Sequence, residues 1–167
     1  FLVLATEGNI NTPVGIARFI LEKLSKETEI FIVEMGAYRA GDIRDICALT
    51  PPNISVVTGI NEAHIERFGT IENTLCAKFE IVRYAKNNAV VVLNADDKRI
   101  RNGYAAELRG HTAIFYGMKT GDISRYAIAN IRFEQDGLCQ SFSLMNAAGE
   151  AYRLMTPLLG DYAPEQV

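Results

Sequence analysis

The stretch of sequence that decides the fold reads Val56-Val57-Thr58-Gly59-Ile60-Asn61-Glu62-Ala63-His64-Ile65-Glu66-Arg67-Phe68-Gly69. An apolar strand runs directly into a turn that carries a histidine and two carboxylates. Thr70 then caps a helix that carries Lys78 on its apolar side. Open α/β sheets bind ligands at the carboxyl ends of their buried strands. The stretch therefore predicts both an α/β fold and a binding site.

The rest of the chain repeats the alternation of strand and helix. Apolar runs predict strands at 1–5, 30–33, 54–57, 89–93 and 112–116, with helices between them. This alternation favours an α/β fold with a mainly parallel sheet flanked by helices. After Gly117 the pattern changes to three strands at 126–133, 138–144 and 151–155, typical of a C-terminal antiparallel β-meander.

We expect residues 1–167 to form a single domain. Its parts are an α/β body (1–117), the meander (118–160) and the start of a linker to a C-terminal domain (161–167). The chain opens within a strand and has no stop signal at its end. We therefore expect a fragment of a longer polypeptide. Its partners would include the flanking domains of that polypeptide, which this sequence does not contain.

Composition argues against several classes of protein. A net charge of −3 does not favour nucleic-acid binding, and no apolar run is long enough for a membrane span. Cys47, Cys76 and Cys139 show no metal-ligand spacing, so we expect free thiols that act as small core residues. These features and the lack of a secretion leader predict a cytoplasmic protein.

Polar residues follow four of the predicted strands and can converge on one crevice. They are Asn9 and Asn11, Glu34, Glu62 with His64, and Asn94 with Asp96. Glu34 suits a hard oxygen ligand for Mg²⁺, although it can equally be a solvated or helix-capping acid. Asn94 can contact a nucleotide base or ribose, or simply form a turn and helix cap.

His64 and Lys78 are the two candidates for catalysis. His64 can bind a metal, orient a phosphate or transfer a proton, or it can be an ordinary hydrogen-bonded loop residue. Lys78 falls within a predicted apolar stripe formed by Ile71, Leu75, Val82 and Ala85. Burial would lower the pKa of its amine and allow carbamylation by CO₂. Alternatively, its stem lies along the core and its amine reaches solvent.

Five motifs, in this order, resemble the central domain of the Mur ligase family, which forms amide bonds in peptidoglycan precursors. They are Thr6-Glu7-Gly8-Asn9-Ile10-Asn11-Thr12-Pro13, Glu34-Met35-Gly36, Asn61-Glu62-Ala63-His64-Ile65-Glu66-Arg67-Phe68-Gly69, Ala77-Lys78-Phe79-Glu80-Ile81 and Leu93-Asn94-Ala95-Asp96-Asp97. Within the family, they are most similar to members that add D-alanyl-D-alanine. The resemblance implies a P-loop NTPase-like fold and a parent ligase that uses ATP and Mg²⁺ to form an acyl phosphate.

The resemblance also implies residue roles. Glu34 would bind the Mg²⁺ that bridges ATP phosphates, and a carbamylated Lys78 with His64 would hold a second Mg²⁺. Asn9 and Asn11 would lie near a nucleotide-sugar peptide substrate, whose partner is an amino acid or dipeptide. Asn94 would contact the nucleotide.

The sequence departs from the family pattern in two places. It contains no GxxxxGK[ST] phosphate loop, and Gly160 is followed by Asp161-Tyr162-Ala163-Pro164, where the family usually has an adenine-binding asparagine. We therefore expect the fragment to be inactive alone. Two alternatives stay open: the central domain of a folylpolyglutamate- or cyanophycin-type ligase, and a non-catalytic descendant that binds a partner.

Overall fold

The computed structural model describes residues 1–62, 65–118, 126–134, 139–146 and 148–156. The strands are β1 (Val3–Ala5), β2 (Ile30–Ile32), β3 (Ile54–Val57), β4 (Val90–Asn94), β5 (Thr112–Gly117), β6 (Tyr126–Glu134), β7 (Cys139–Asn146) and β8 (Ala151–Thr156). The helices are α1 (Pro13–Lys23), α2 (Asp42–Leu49), α3 (Ile65–Phe68), α4 (Ile71–Lys78), α5 (Glu80–Arg83) and α6 (Lys98–Gly103), the last followed by a 3₁₀ turn at Tyr104–Ala106.

The chain divides into two compact units, and the first comprises Phe1–Asn53 and Asn61–Asn87. In it, β1 and β2 pair in parallel, with Val3 opposite Ile30 and Ala5 opposite Ile32. Thr12 caps α1, where its side chain accepts a hydrogen bond from Gly15 N. Helices α1 to α5 supply much of the core of this unit, whose buried apolar residues include Ile16, Phe19, Ile43, Ile46, Phe79 and Val82.

The second unit, Ile54–Ile60 and Asn88–Val167, contains a six-stranded sheet in the order β3-β4-β5-β6-β7-β8. Strands β3 to β6 pair in parallel, and β6, β7 and β8 pair antiparallel. The predicted α/β fold with a C-terminal meander is thus confirmed. The meander continues the parallel sheet directly, because Tyr116 pairs with Tyr126 and Gly117 with Ala127.

The structure corrects four details of the predicted elements. Strands β1 and β2 form a sheet of their own within the described residues. The helix that begins after Thr70 is interrupted at Phe79. The short helix α3 was not predicted, and the helix expected between the strands at 89–93 and 112–116 spans only Lys98–Gly103. The division into body, meander and linker stays a prediction, and residues 161–167 lie outside the described ranges.

The interruption at Phe79 also changes the predicted apolar stripe. Thr74 and Ala77 are buried in α4, whereas Ile71 and Leu75 are only half-buried. Phe79, at the break between α4 and α5, is fully buried. The buried face of this segment therefore departs from the regular helical spacing on which the stripe was based.

The thiols only partly match their expected role. All three cysteines are free; Cys47 is buried and Cys139 is half-buried, as expected of small apolar residues, but Cys76 is exposed on α4. None of the helices in the described part of the chain has the length and apolar character that crossing a bilayer requires.

Candidate functional site

The carboxyl ends of β1 and β2 bring together a cluster of polar groups in the first unit. Thr6 N donates to Ile32 O at 3.0 Å, and Thr6 Oγ1 accepts from Glu34 N at 3.1 Å. Asn11 Nδ2 donates to Glu34 Oε1 at 3.2 Å. We call Thr6, Asn11, Glu34 and Gly36 the strand-end cluster. The parallel register places both strand ends at one edge, as the sequence predicted for Asn11 and Glu34.

Gly36 allows the two segments of this cluster to approach closely. Gly36 N donates to Asn11 O at 2.8 Å, and a Cβ at Gly36 would lie 2.9 Å from Asn11 Cγ and Oδ1. The Asn11 side chain is thereby held between Glu34 and the Gly36 backbone. Its Oδ1 is buried and has no hydrogen-bond partner within the described residues, which is uncommon for a buried polar atom.

The strand-end cluster fits a bound Mg²⁺. Glu34 is exposed, and the Asn11 amide orients one of its carboxylate oxygens. Magnesium in phosphate-binding sites commonly takes one or two carboxylate ligands and completes its shell with water and phosphate oxygens. Glu34 offers such a ligand. Within the described residues, no group of three or more His, Cys, Asp and Glu side chains could form a complete metal cage.

The other residues predicted for this site are placed less completely. Asn9 is exposed in the turn before Asn11, and its carbonyl accepts from Asn11 N at 3.0 Å. Lys78 is the last residue of α4, is half-buried and belongs to the same unit as Glu34. His64 lies outside the described residues. The predicted meeting of Glu34, His64 and Lys78 therefore stays a prediction.

Asn94 belongs to the second unit, where it ends β4 and is 4% exposed. Its Nδ2 donates to Thr58 O at 3.0 Å, and its Oδ1 accepts from Asp96 N at 2.8 Å. Both ends of the amide therefore bond the backbone of neighbouring loops. This arrangement matches the turn that the sequence offered as the alternative role of Asn94.

The two aspartates after Asn94 also fasten strand ends within the second unit. Asp96 Oδ2 accepts from Met118 N at 2.6 Å, beside Gly117, whose absent side chain leaves room for the carboxylate. Asp97 Oδ2 accepts from Ile60 N at 2.7 Å. Its other oxygen caps α6 by accepting from two backbone N–H groups. These carboxylates fix the loops that follow β3, β4 and β5.

Sequence reasoning missed two acids that shape the loop after the strand-end cluster. Glu80 is 7% exposed, and it accepts hydrogen bonds from Gly41 N at 2.8 Å and Arg44 N at 3.0 Å. Its carboxylate supplies the cap that Gly41, the N-cap of α2, cannot provide. The only sequence signal was an acid within the apolar run 79–82.

The second missed acid is Asp42, the first residue of α2. Its carboxylate accepts from Tyr38 N and Arg39 N, both at 3.1 Å, and from Arg39 Nε at 3.0 Å. Burial by itself raises the pKa of Asp42, but the Arg39 side chain and the two N–H groups outweigh that effect and lower the pKa overall. Asp42 is therefore an ionised anchor for the loop.

Comparisons with known proteins agree with this fold. A sequence model described as the Mur ligase middle domain matches residues 1–164. The chain is 28% identical over 160 residues to the UDP-N-acetylmuramoyl-tripeptide–D-alanyl-D-alanine ligase of Haemophilus influenzae, covering 96% of this chain and 33% of that protein. The chain thus spans about a third of the length of this relative.

Two solved structures have a similar fold. MurF from Acinetobacter baumannii has a TM-score of 0.82 at 23% identity, covering 98% of this chain and 34% of that one. MurF ligase from Thermotoga maritima, in complex with ADP, has a TM-score of 0.76 at 28% identity, covering 92% of this chain and 34% of that one. Because the family model spans nearly all of the sequence, this chain belongs to the Mur ligase middle domain family.

Proposed function

We propose that this chain is the central domain of an ATP-dependent ligase of peptidoglycan precursor synthesis, of the type that joins D-alanyl-D-alanine to a UDP-N-acetylmuramoyl tripeptide. The family match, the name of the Haemophilus influenzae relative and the ADP bound to the Thermotoga maritima relative support this proposal. The activity belongs to the full-length parent, which we propose acts in the cytoplasm, and the chain alone would be inactive.

The observation that carries the proposal is the orientation and exposure of the Glu34 carboxylate. Its carboxylate follows a parallel strand, is oriented by the Asn11 amide and is exposed. An exposed carboxylate held in one orientation at a strand end is suited to bind a cation together with phosphate oxygens. In the proposed enzyme, Glu34 is a ligand of the Mg²⁺ that accompanies ATP.

The remaining predicted site residues have the following proposed roles. Lys78, carbamylated, and His64 would hold a second Mg²⁺. Bound Mg²⁺ stabilises negative charge on a transferring phosphoryl group. Asn9 and Asn11 would lie beside the nucleotide-sugar peptide. The Asn94 amide bonds the backbone at Thr58 and Asp96, so we propose that it shapes a loop near the nucleotide.

Substitution of Glu34 in the full-length protein tests the metal ligand. Glu34→Ala should raise the half-saturating Mg²⁺ concentration for ATP-dependent product formation at least tenfold, because the carboxylate ligand is lost. Glu22→Ala is the matched control, since Glu22 is an exposed acid of the same unit and pairs with Arg18 on α1. An unchanged Mg²⁺ dependence in a folded Glu34→Ala protein would exclude Glu34 as a ligand.

Substitution of Lys78 tests the carbamate. Lys78→Ala should abolish the activity of the full-length protein, and Lys78→Arg should not restore it, because a guanidinium cannot form the carbamate. A short carboxylic acid should partly rescue Lys78→Ala by replacing the lost anionic ligand. Wild-type rates in either variant would refute the role of Lys78.

The reaction itself is tested with the full-length protein, ATP, Mg²⁺, bicarbonate and candidate substrates, with the product identified by mass spectrometry. We expect a product only from a UDP-muramoyl tripeptide with D-alanyl-D-alanine. A product from glutamate and a folate, or from cyanophycin precursors, would instead assign the chain to another ligase with this fold. Absence of both ATP hydrolysis and acyl-phosphate formation would favour the non-catalytic alternative.

A further inference from the structure

Strands β6, β7 and β8 carry a polar cavity that the proposed reaction does not use. The cavity has a volume of about 270 Å³. Its lining residues are Asn130, Arg132, Ser141, Phe142, Ser143 and Arg153. All of them belong to the second unit, whereas Glu34 and Lys78 belong to the first.

The strand register explains why two arginines meet at this face. Ser141 and Ser143 are two residues apart on β7 and therefore face the same side of the sheet. Arg132 on β6 lies opposite Ser141, and Arg153 on β8 lies opposite Ser143. The central row of hydroxyls is thus flanked by one guanidinium on each side.

A β-bulge shapes the cavity on its β6 side. The register shifts between Ala129 and Arg132, and Asn130 takes a positive φ of 55°. Non-glycine residues rarely adopt this conformation, although asparagine tolerates it better than most. The Asn130 side chain thereby turns back towards β7, where its Nδ2 lies 3.4 Å from Ser143 Oγ. Bulges commonly redirect side chains in this way.

The polar side chains of this face differ in how many hydrogen bonds they make. Glu134 Oε1 accepts from Ser141 Oγ at 2.6 Å and from Arg153 Nη2 at 2.8 Å. The hydrogen bond from Ser141, with the charges of Arg153 and Arg132, lowers the pKa of Glu134, so this carboxyl is ionised at neutral pH. The Arg132 side chain makes no hydrogen bond to any described residue. Ser143 accepts from Asn130 and can direct its own hydrogen into the cavity.

We propose that this cavity binds one carboxylate group of a peptide or small acid, held by the guanidinium of Arg132 and the hydroxyl of Ser143. Two arginines and Glu134 leave one net positive charge, which matches a monoanion. A planar guanidinium pairs with a carboxylate through two parallel N–H bonds. A dianion such as phosphate fits less well, because Glu134 would repel its second charge.

The test is an NMR titration of the full-length ¹⁵N-labelled protein at constant ionic strength, with the Ser143 amide as reporter. The probe is N-acetylglycine, which carries a single terminal carboxylate. We expect a saturable shift, and Arg132→Gln should weaken the apparent affinity at least tenfold. Arg101→Gln is the matched control, since Arg101 is an exposed arginine of the same unit, on α6. It should leave the affinity unchanged within twofold.

Two further arms define the ligand. The α-methylamide of N-acetylglutamic acid offers only a side-chain carboxylate, so the tighter of the two carboxylate probes identifies the source as a chain end or an acidic side chain. Inorganic phosphate should bind more weakly than either, and Glu134→Gln should strengthen its binding at least threefold. Three results would overturn the proposal. They are equal affinity of the wild-type and Arg132→Gln proteins for N-acetylglycine, a shift no larger than the same concentration of sodium chloride causes, and tighter binding of phosphate than of the carboxylates by the wild-type protein.

Discussion

Glu80 offers the sharpest test of how the first unit is held together. Its buried carboxylate accepts hydrogen bonds from Gly41 N and Arg44 N, which lie 39 and 36 residues earlier in the sequence. Glu80→Ala removes both acceptors at once. The N–H groups of Gly41 and Arg44 then lose their acceptor, and the N-cap residue Gly41 has no side chain to replace it.

The expected loss follows from the number and type of these bonds. A hydrogen bond to a charged group contributes about 1.5–3 kcal/mol to stability. Two such bonds give about 3–6 kcal/mol, from which the desolvation cost of burying the carboxylate must be subtracted, because the alanine variant no longer incurs it. We expect Glu80→Ala to lower the free energy of unfolding by about 3 kcal/mol. Glu80→Gln retains one acceptor oxygen and should cost about half as much.

Urea unfolding followed by circular dichroism measures this loss. With a slope of about 2 kcal/mol per molar urea, the midpoint should fall by about 1.5 M in Glu80→Ala. Glu72→Ala is the control, because Glu72 is an exposed acid in the first turn of α4. It should lower the free energy of unfolding by only about 0.5 kcal/mol. The reasoning fails if the two variants shift the midpoint equally.

Three further predictions use the same chain. Asp97→Ala should cost about 2 kcal/mol in urea unfolding, because three backbone N–H groups lose their acceptor; a loss below about 0.5 kcal/mol would contradict this. Iodoacetamide at pH 8 should label Cys76 in the folded chain and Cys47 only after unfolding, because burial raises the pKa of Cys47 to about 11. Peptide mapping measures the labelling of each cysteine, and equal labelling of both in the folded chain would contradict this prediction. The lowered pKa of Asp42 stabilises the fold above about pH 4, and this contribution disappears as the pH falls through the folded-state pKa. The difference in unfolding free energy between wild type and Asp42→Asn should therefore narrow below about pH 4, and a constant difference from pH 2 to 6 would exclude this role.

Local patterns were sufficient to predict most of the elements but not the partition of the strands. Apolar runs and the caps at Thr12 and Thr70 are local signals, and the structure contains the corresponding strands and helices. Which strands pair is a property of distant segments, so the separate sheet of β1 and β2 was not apparent. The break at Phe79, whose ring is fully buried, was likewise not apparent from the local helical spacing.

The candidate site shows the same limit. Glu34 and Asn11 were predictable, because a polar residue at the end of a parallel strand must lie at the edge shared with its neighbour. Glu80 was not, because its partners are backbone groups far away in sequence. The arginines at 132 and 153 meet only through the register of three strands and a bulge. Neither arginine belongs to a motif.

Polar residues after an apolar strand gave the same sequence signal at Glu34 and at Asn94, but their surroundings differ. The loop after β4 folds back on itself, and its side chains bond backbone groups of neighbouring loops within the second unit. Glu34 receives one amide hydrogen bond and is otherwise exposed. A strand-end carboxylate is less available to a cation when backbone N–H groups bond both of its oxygens, as they do in Asp97. For this reason Glu34, and not Asp97, is the carboxylate whose substitution should alter the magnesium requirement of the ligase that we propose as the full-length parent.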